Sequence, residues 1–245
     1  MATFGLGSIG SRIIGTYVRE FERLDPEGVV TGDSTMANTV EELRKFFYQQ
    51  YLDIVVPQVE RTSGRNFAEV PEEDKPVVGM AVGGFSTGAY LSEVWQILLP
   101  QHRDPDSAQL MTGPGDFRSS WYALCDPIFR YHKGCDNGIY NAVTGYFVNA
   151  RGSPLTPQEN ADIQALIQQH EYHIPVGAMP LGEAIGYVKF LVEMVIKHYR
   201  FAVGAPVVGG RVQLGLVTYR GKNFRILSPS EISYGLAEGE IEGLN

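Results

Sequence analysis

The sequence predicts an α+β fold in which antiparallel sheets are covered by helices. Two observations carry this. Apolar runs come in pairs joined by glycine-bearing turns, at 77–82 with 90–99 and again at 212–219 with 224–227. Helical periodicity is grouped between those pairs and does not alternate with single strands, which is not the order of a parallel βαβ array. No internal repeat and no linker divides the chain. Residues 1–228 are therefore predicted to form a single domain, with 229–245 as an acidic tail.

The opening residues Ala2-Thr3-Phe4 read as a short strand running into the glycine turn Gly5 to Gly10. A helix is predicted over 11–24, where Ile14, Tyr17, Val18 and Phe21 recur at helical spacing. Asp25-Pro26-Glu27-Gly28 has the chemistry to end it. Thr39 with Glu42 forms a capping-box pattern for a second helix, and Leu43, Phe46, Phe47 and Tyr51 supply its apolar face. The polar stretch 60–75, with Glu72-Glu73-Asp74, reads as a solvated loop. The run 77–82 is apolar throughout, as in a strand buried on both faces, and Gly83 to Gly88 turns it into its partner.

The middle of the chain is helical. Trp121, Leu124, Ile128 and Phe129 suit one helix face, and Gly134 stops it. A further helix is predicted over 139–148. Thr156-Pro157-Gln158-Glu159 is the strongest start signal, with a Thr cap, Pro at the first helical position and Glu at the third. Pro180 opens a long helix whose Ile185, Val188, Leu191, Val192 and Val195 fill more than one face, which predicts packing between layers. Gly204-Ala205-Pro206 ends it, and Arg220-Gly221-Lys222 turns the final hairpin.

Composition narrows the function. The chain has 245 residues, 44% of them hydrophobic, so it can bury a core. Its net charge of -8 and its lack of a basic block argue against nucleic-acid binding. The most apolar helical stretch, 188–195, is interrupted by Lys189 and Glu193, so no membrane span is predicted. The first ten residues lack the cationic start of a secretory signal. Two cysteines, Cys125 and Cys135, cannot build a disulfide framework, and a reducing cytoplasm is the expected compartment.

Several motifs invite chemistry. Gly5-Leu6-Gly7-Ser8-Ile9-Gly10 matches a G-x-G-x-x-G fingerprint, in which glycines admit a pyrophosphate to a helix N-terminus, with Asp33 near the place of a ribose-binding acid. The hairpins downstream are foreign to the core of that dinucleotide fold. His170 and His173 are three apart, a spacing that could put two imidazoles on one side of a helix, but no third ligand accompanies them and no metal is expected. Gly84-Phe85-Ser86-Thr87-Gly88 loosely resembles a nucleophile elbow, although a strand follows where an elbow needs a helix. Neither cysteine has a local nucleophile signature, and no cofactor is implied.

The residues Val77-Val78-Gly79-Met80-Ala81-Val82-Gly83-Gly84-Phe85 and Ala89-Tyr90-Leu91-Ser92-Glu93-Val94 resemble the central hairpin of proteasome-like N-terminal-nucleophile (Ntn) hydrolases. Pro180-Leu181-Gly182-Glu183-Ala184 resembles the start of that family's long helix. Pro206-Val207-Val208-Gly209-Gly210-Arg211-Val212 resembles its final hairpin. The resemblance covers about two-thirds of the chain. It implies a four-layer αββα sandwich, a ring or stacked homo-oligomer, and peptide or amide hydrolysis by a terminal Thr, Ser or Cys whose own amino group is the base. Gly5 or Gly7 would then fall near the oxyanion position. The hairpin that carries the family's nucleophile, Asp and Lys has no counterpart before Gly5, and Thr3 lies on the wrong strand. Two accounts stand open: Met1 is internal to a longer natural chain, or the chain is a non-catalytic structural or interaction subunit. A nucleotide-dependent oxidoreductase using the Gly5–Gly10 turn is the third reading.

Overall fold

The computed structural model describes residues 1–24, 34–116, 120–122, 124–203, 212–218 and 224–227. The predicted stops at Asp25–Gly28 and Gly204–Pro206, Asp33, the final hairpin turn and the acidic tail lie outside the described residues. The fold class is mixed α/β, and the pairings of β1 with β4, β2 with β3, β4 with β5 and β5 with β6 are antiparallel. The chain divides into two units, the first built on Met1–Ser120 and the second on Trp121–Leu216 with the residues from Phe224 onward.

The first unit holds a four-stranded sheet in the order β1 (Ala2–Gly5), β4 (Val78–Gly84), β5 (Glu93–Leu99), β6 (Gln109–Thr112). A two-residue ladder of β2 (Ser8–Ile9) with β3 (Arg12–Ile13) follows β1 and leads into α1 (Ile14–Leu24). The predicted helix over 11–24 thus begins three residues late, because Gly10 turns the chain at φ +60 and lets β2 and β3 pair. The core is built from α1 and α2 (Met36–Gln50) against one face of the sheet. Tyr17, Val40, Phe47, Val78, Met80, Ile97 and Leu99 are all essentially inaccessible. The register explains which side chains meet there. Val78 pairs with Leu99, Met80 with Ile97 and Val82 with Trp95, all on the helix-covered face.

The start of α2 corrects the predicted cap. Thr35, not Thr39, is the N-cap: its hydroxyl accepts the Asn38 N–H at 3.2 Å. A tertiary partner decides the matter, since the Ser86 hydroxyl accepts the Met36 N–H at 2.9 Å and Met36 is buried. Glu42, freed from capping, pairs with Lys45 at 2.6 Å. At its far end α2 widens into a π-helical turn, Tyr51–Val55, before α3 (Val56–Ser63). The stretch 60–75 is not a plain loop. It finishes α3, stopped by Gly64 in the left-handed region, and adds 3-10 turns at Phe67–Glu69 and Glu72–Asp74. Glu72, Glu73 and Asp74 are exposed, as a solvated charge run should be.

The hairpin of β4 with β5 forms as predicted, although the return strand begins at Glu93 and leaves Tyr90 and Leu91 exposed. In the second unit α4 (Asp126–Lys133) ends at Gly134 in the left-handed region, as the sequence predicts. Trp121 and Leu124 precede that helix and do not belong to it. The next helix, α5 (Asn137–Arg151), starts at a buried cap, Asp136, which accepts the Ile139 N–H at 2.8 Å and pairs with Arg130. For α6 (Pro157–Gln168) the predicted capping box is complete, with Thr156 and Glu159 serving each other's backbone N–H.

Thr156→Ala is expected to cost about 1 kcal/mol, read as a drop in the urea midpoint. The box is also pH-sensitive. The Thr156 N–H first, then its hydroxyl and Arg151, hold the Glu159 carboxyl down to about 2 from an ordinary 4.5. Because the folded value is the lower one, this stabilisation is whole above about 4.5 and fades as pH falls toward 2. A variant midpoint that matches the parent at pH 7 would refute the cap.

The long helix α7 (Leu181–Phe201) is present. It buries Ile185, Leu191 and Val195 while Val188, Phe190 and Val192 stand exposed, so its apolar excess is not sandwiched on all sides. Its first turns pack Leu181 and Ile185 on Leu214, Leu216 and Leu227 at the small sheet of β7 (Gly215–Val217) and β8 (Phe224–Ile226).

Candidate functional site

The Gly5–Gly10 segment folds for reasons visible atom by atom. Gly5 ends β1 opposite Val78, at φ +79, and a Cβ there would sit 2.2 Å from the Val77 carbonyl oxygen. That oxygen accepts the Leu6 N–H at 2.8 Å, which holds the chain tight against β4. Gly7 is exposed with open space around its Cα, and its carbonyl accepts the Ile14 N–H at 3.2 Å. The two predicted oxyanion positions therefore differ. Gly5 is a packing glycine locked by close approach, whereas Gly7 is an open backbone turn at the exit of β1.

This geometry departs from a pyrophosphate cradle. The glycines do not run directly into a helix, because the β2–β3 ladder intervenes and the first helical N–H is already engaged by Gly7. Nor is β1 a parallel strand: it lies antiparallel to β4. Glycine's freedom is used here for a close backbone contact and a two-residue turn.

Ser86 is brought into a polar chain that sequence reasoning missed. Its hydroxyl donates to Glu93 Oε1 at 2.8 Å while accepting from Met36, and Glu93 Oε2 accepts the Trp95 indole N–H at 2.9 Å. Thr87 completes the tie by donating to the Ser34 carbonyl at 3.1 Å. The ladder places Glu93 opposite Gly84, and the Ser86 side chain reaches back across the turn to it, a contact that no local pattern signals. These bonds fasten the β4–β5 turn to the start of α2. They occupy the Ser86 hydroxyl in both directions and supply no imidazole to activate it.

The histidines are separated. His132 is buried at the end of α4, stacked on Trp121 with ring centroids 4.9 Å apart, and its Nε2 lies 2.6 Å from the Tyr187 hydroxyl. His102 accepts the Leu98 N–H on Nδ1 at 3.0 Å, and burial lowers its pKa, which keeps the ring in the neutral form this bond requires. His170 and His173 are exposed beyond the end of α6. Among the described residues no three His, Cys, Asp or Glu side chains come together as a metal site.

Both cysteines are free. Burial pushes the Cys125 thiol up to about 11, so it is protonated and a poor nucleophile at neutral pH. Comparison with protein families, curated proteins and solved structures finds no match. Among the described residues no helix is long and apolar enough to cross a membrane.

Proposed function

We propose that this chain is a proteasome-like subunit of the Ntn-hydrolase fold in a self-assembled ring or stacked homo-oligomer, with peptide or amide hydrolysis implied by the resemblance and no catalytic nucleophile visible in this sequence. The observation that carries the reading is the two-faced character of the sheets. One face of the β1–β4–β5 sheet is covered by α1 and α2. The other presents Ala2, Phe4, Gly79, Ala81, Gly83, Val94 and Leu98 with the polar Gln96 and, from β6, Gln109 and Thr112, and no charge. The β7–β8 sheet shows the same split. Leu214 and Leu216 meet α7, while Gly215, Phe224 and Ile226 make the opposite, uncharged face. A helix layer on one face and an uncharged second face is what each half of a four-layer αββα sandwich needs.

Gly7 is the better oxyanion candidate of the two, because its surroundings are open where Gly5 is filled by Val77. A second reading, a structural subunit without catalysis, is favoured by the occupied Ser86 hydroxyl and the protonated Cys125 thiol. Fluorogenic peptides and a covalent inhibitor selective for N-terminal nucleophiles separate the two. Turnover with stoichiometric labelling would identify a nucleophile and support hydrolysis, and labelling of no residue leaves only the structural subunit. Light scattering tests assembly, and a strict monomer at micromolar concentration would count against the ring.

A further inference from the structure

The first unit contains a cleft of about 600 Å³ between the end of α2, the 3-10 turns of 67–74 and the loop that follows β5. Its lining combines the rings of Tyr48 and Phe67 with the charged Glu60, Glu72, Lys75 and Arg103, over a fully buried Tyr51. The π-helical turn Tyr51–Val55 shapes one side, and such turns recur at ligand sites. At the far rim the backbone of Arg103 is fixed from below. Buried Arg44 donates to the Arg103 carbonyl at 2.9 Å and to that of His102 at 3.3 Å.

Lys75 is what marks this cleft as more than a dimple. Its side chain is only 8% exposed, and its ammonium lies 5.0 Å from the centre of the Phe67 ring. An ammonium has three donors. Its hydrogen-bond partner among the described residues is Glu72 Oε1 at 2.5 Å, and Glu72 is itself 70% exposed. The other acceptors nearby are committed: Tyr51 donates to the Pro76 carbonyl at 2.7 Å, and Glu60 takes the Phe67 N–H at 3.0 Å. A buried cation is thus held by a carboxylate that lies mostly in solvent, so another carboxylate can take that place without uncovering the ammonium. Desolvated donors of this kind favour a bound acceptor.

We propose that the cleft binds a small aromatic monocarboxylate, its carboxylate displacing Glu72 from Lys75 and its ring lying against Tyr48 and Phe67. Exchange of one carboxylate for another leaves the charge at Lys75 unchanged, so the aromatic contacts supply the preference for ligand over Glu72. A dianion such as phosphate is disfavoured, because Glu60, Glu72 and Asp104 already line the cleft against two cations, Lys75 and Arg103. The cleft lies wholly within the first unit and stands independently of the proteasome-like reading.

Titration of the full chain with indole-3-acetate, indole-3-acetamide and inorganic phosphate, followed by calorimetry and amide NMR, tests this. Indole-3-acetate is expected to bind and to shift the amides of Phe67, Lys75 and Arg103. The neutral amide should bind about tenfold more weakly, the worth of one charge-assisted hydrogen bond, and phosphate should not bind. Lys75→Met should lose about the same tenfold. Glu72→Gln should tighten binding, an outcome that a purely structural Lys75–Glu72 pair does not produce. Equal affinity for acid and amide, unchanged affinity in Lys75→Met, weaker binding in Glu72→Gln, or shifts confined to α7 would each overturn the proposal. If Lys75→Met fails to fold, the acid-against-amide comparison and Glu72→Gln decide it.

Discussion

Gly5→Ala is expected to destabilise the first unit by about 3 kcal/mol, the sum of a left-handed backbone penalty and a backbone clash. The first cause is the φ of +79, which an L side chain rarely adopts. The second is the 2.2 Å approach to the Val77 oxygen, a backbone atom that cannot swing aside as a side chain would. Relief requires β1 to move off β4, which also strains the Leu6 to Val77 hydrogen bond. Gly7→Ala, two residues on, is expected to change stability by no more than about 0.5 kcal/mol, because no heavy atom outside its neighbours lies within 4 Å of the added carbon. Urea denaturation of the two variants side by side reads the contrast. Equal midpoints would show that the glycine pattern serves something other than this strand contact. The same pair informs the functional reading, since a fully folded Gly7→Ala with altered hydrolysis would place chemistry at that turn.

Arg44→Ala should be the costliest polar substitution, at about 3–5 kcal/mol, the range for stripping one partner from a buried ion pair. Arg44 is 3% exposed, grips Glu41 through two nitrogens at 2.7 and 2.8 Å, and holds the carbonyls of His102 and Arg103. Its loss leaves the Glu41 carboxylate only the Asp106 N–H at 3.2 Å in place of an ion pair, and strips two carbonyls of the same donor. The pH dependence supplies a second readout. The Arg44 guanidinium holds the Glu41 carboxyl below its ordinary 4.5. The folded value is the depressed one, so the pair's contribution is complete above 4.5 and is lost as pH falls through the folded value. Stability profiles of parent and variant should therefore converge in acid. Parallel curves from neutral pH down to pH 3 would show that Glu41 does not depend on Arg44.

Local signals were legible wherever the deciding partner was close in sequence. The Thr156–Glu159 box, the left-handed stop at Gly134 and the β4–β5 hairpin each rest on residues within a few positions of one another. The N-cap of α2 was misplaced because two Thr residues compete, and the choice falls to Ser86, fifty residues away. The stretch 60–75 looked like a loop because its charges dominate, and periodicity cannot show that Lys75 turns inward to Glu72 and Phe67. Likewise G-x-G-x-x-G is one pattern with two physical uses, and only the antiparallel partner of β1 distinguishes them. Arg44 was unreadable for a related reason: nothing in a helix sequence tells a buried guanidinium from a solvated one.

By itself, the order of residues determined the mixed α/β class with antiparallel strands, the β4–β5 hairpin, the helix stop at Gly134 and the acidic, core-forming composition, because these follow from turn chemistry and hydrophobic period. Tertiary structure alone decided which glycine is locked and which is open, which hydroxyl is spent on a helix start, and where a cation is buried beside aromatic rings. Those outcomes depend on which distant atoms share a volume, and close packing leaves room for only one of them at each position.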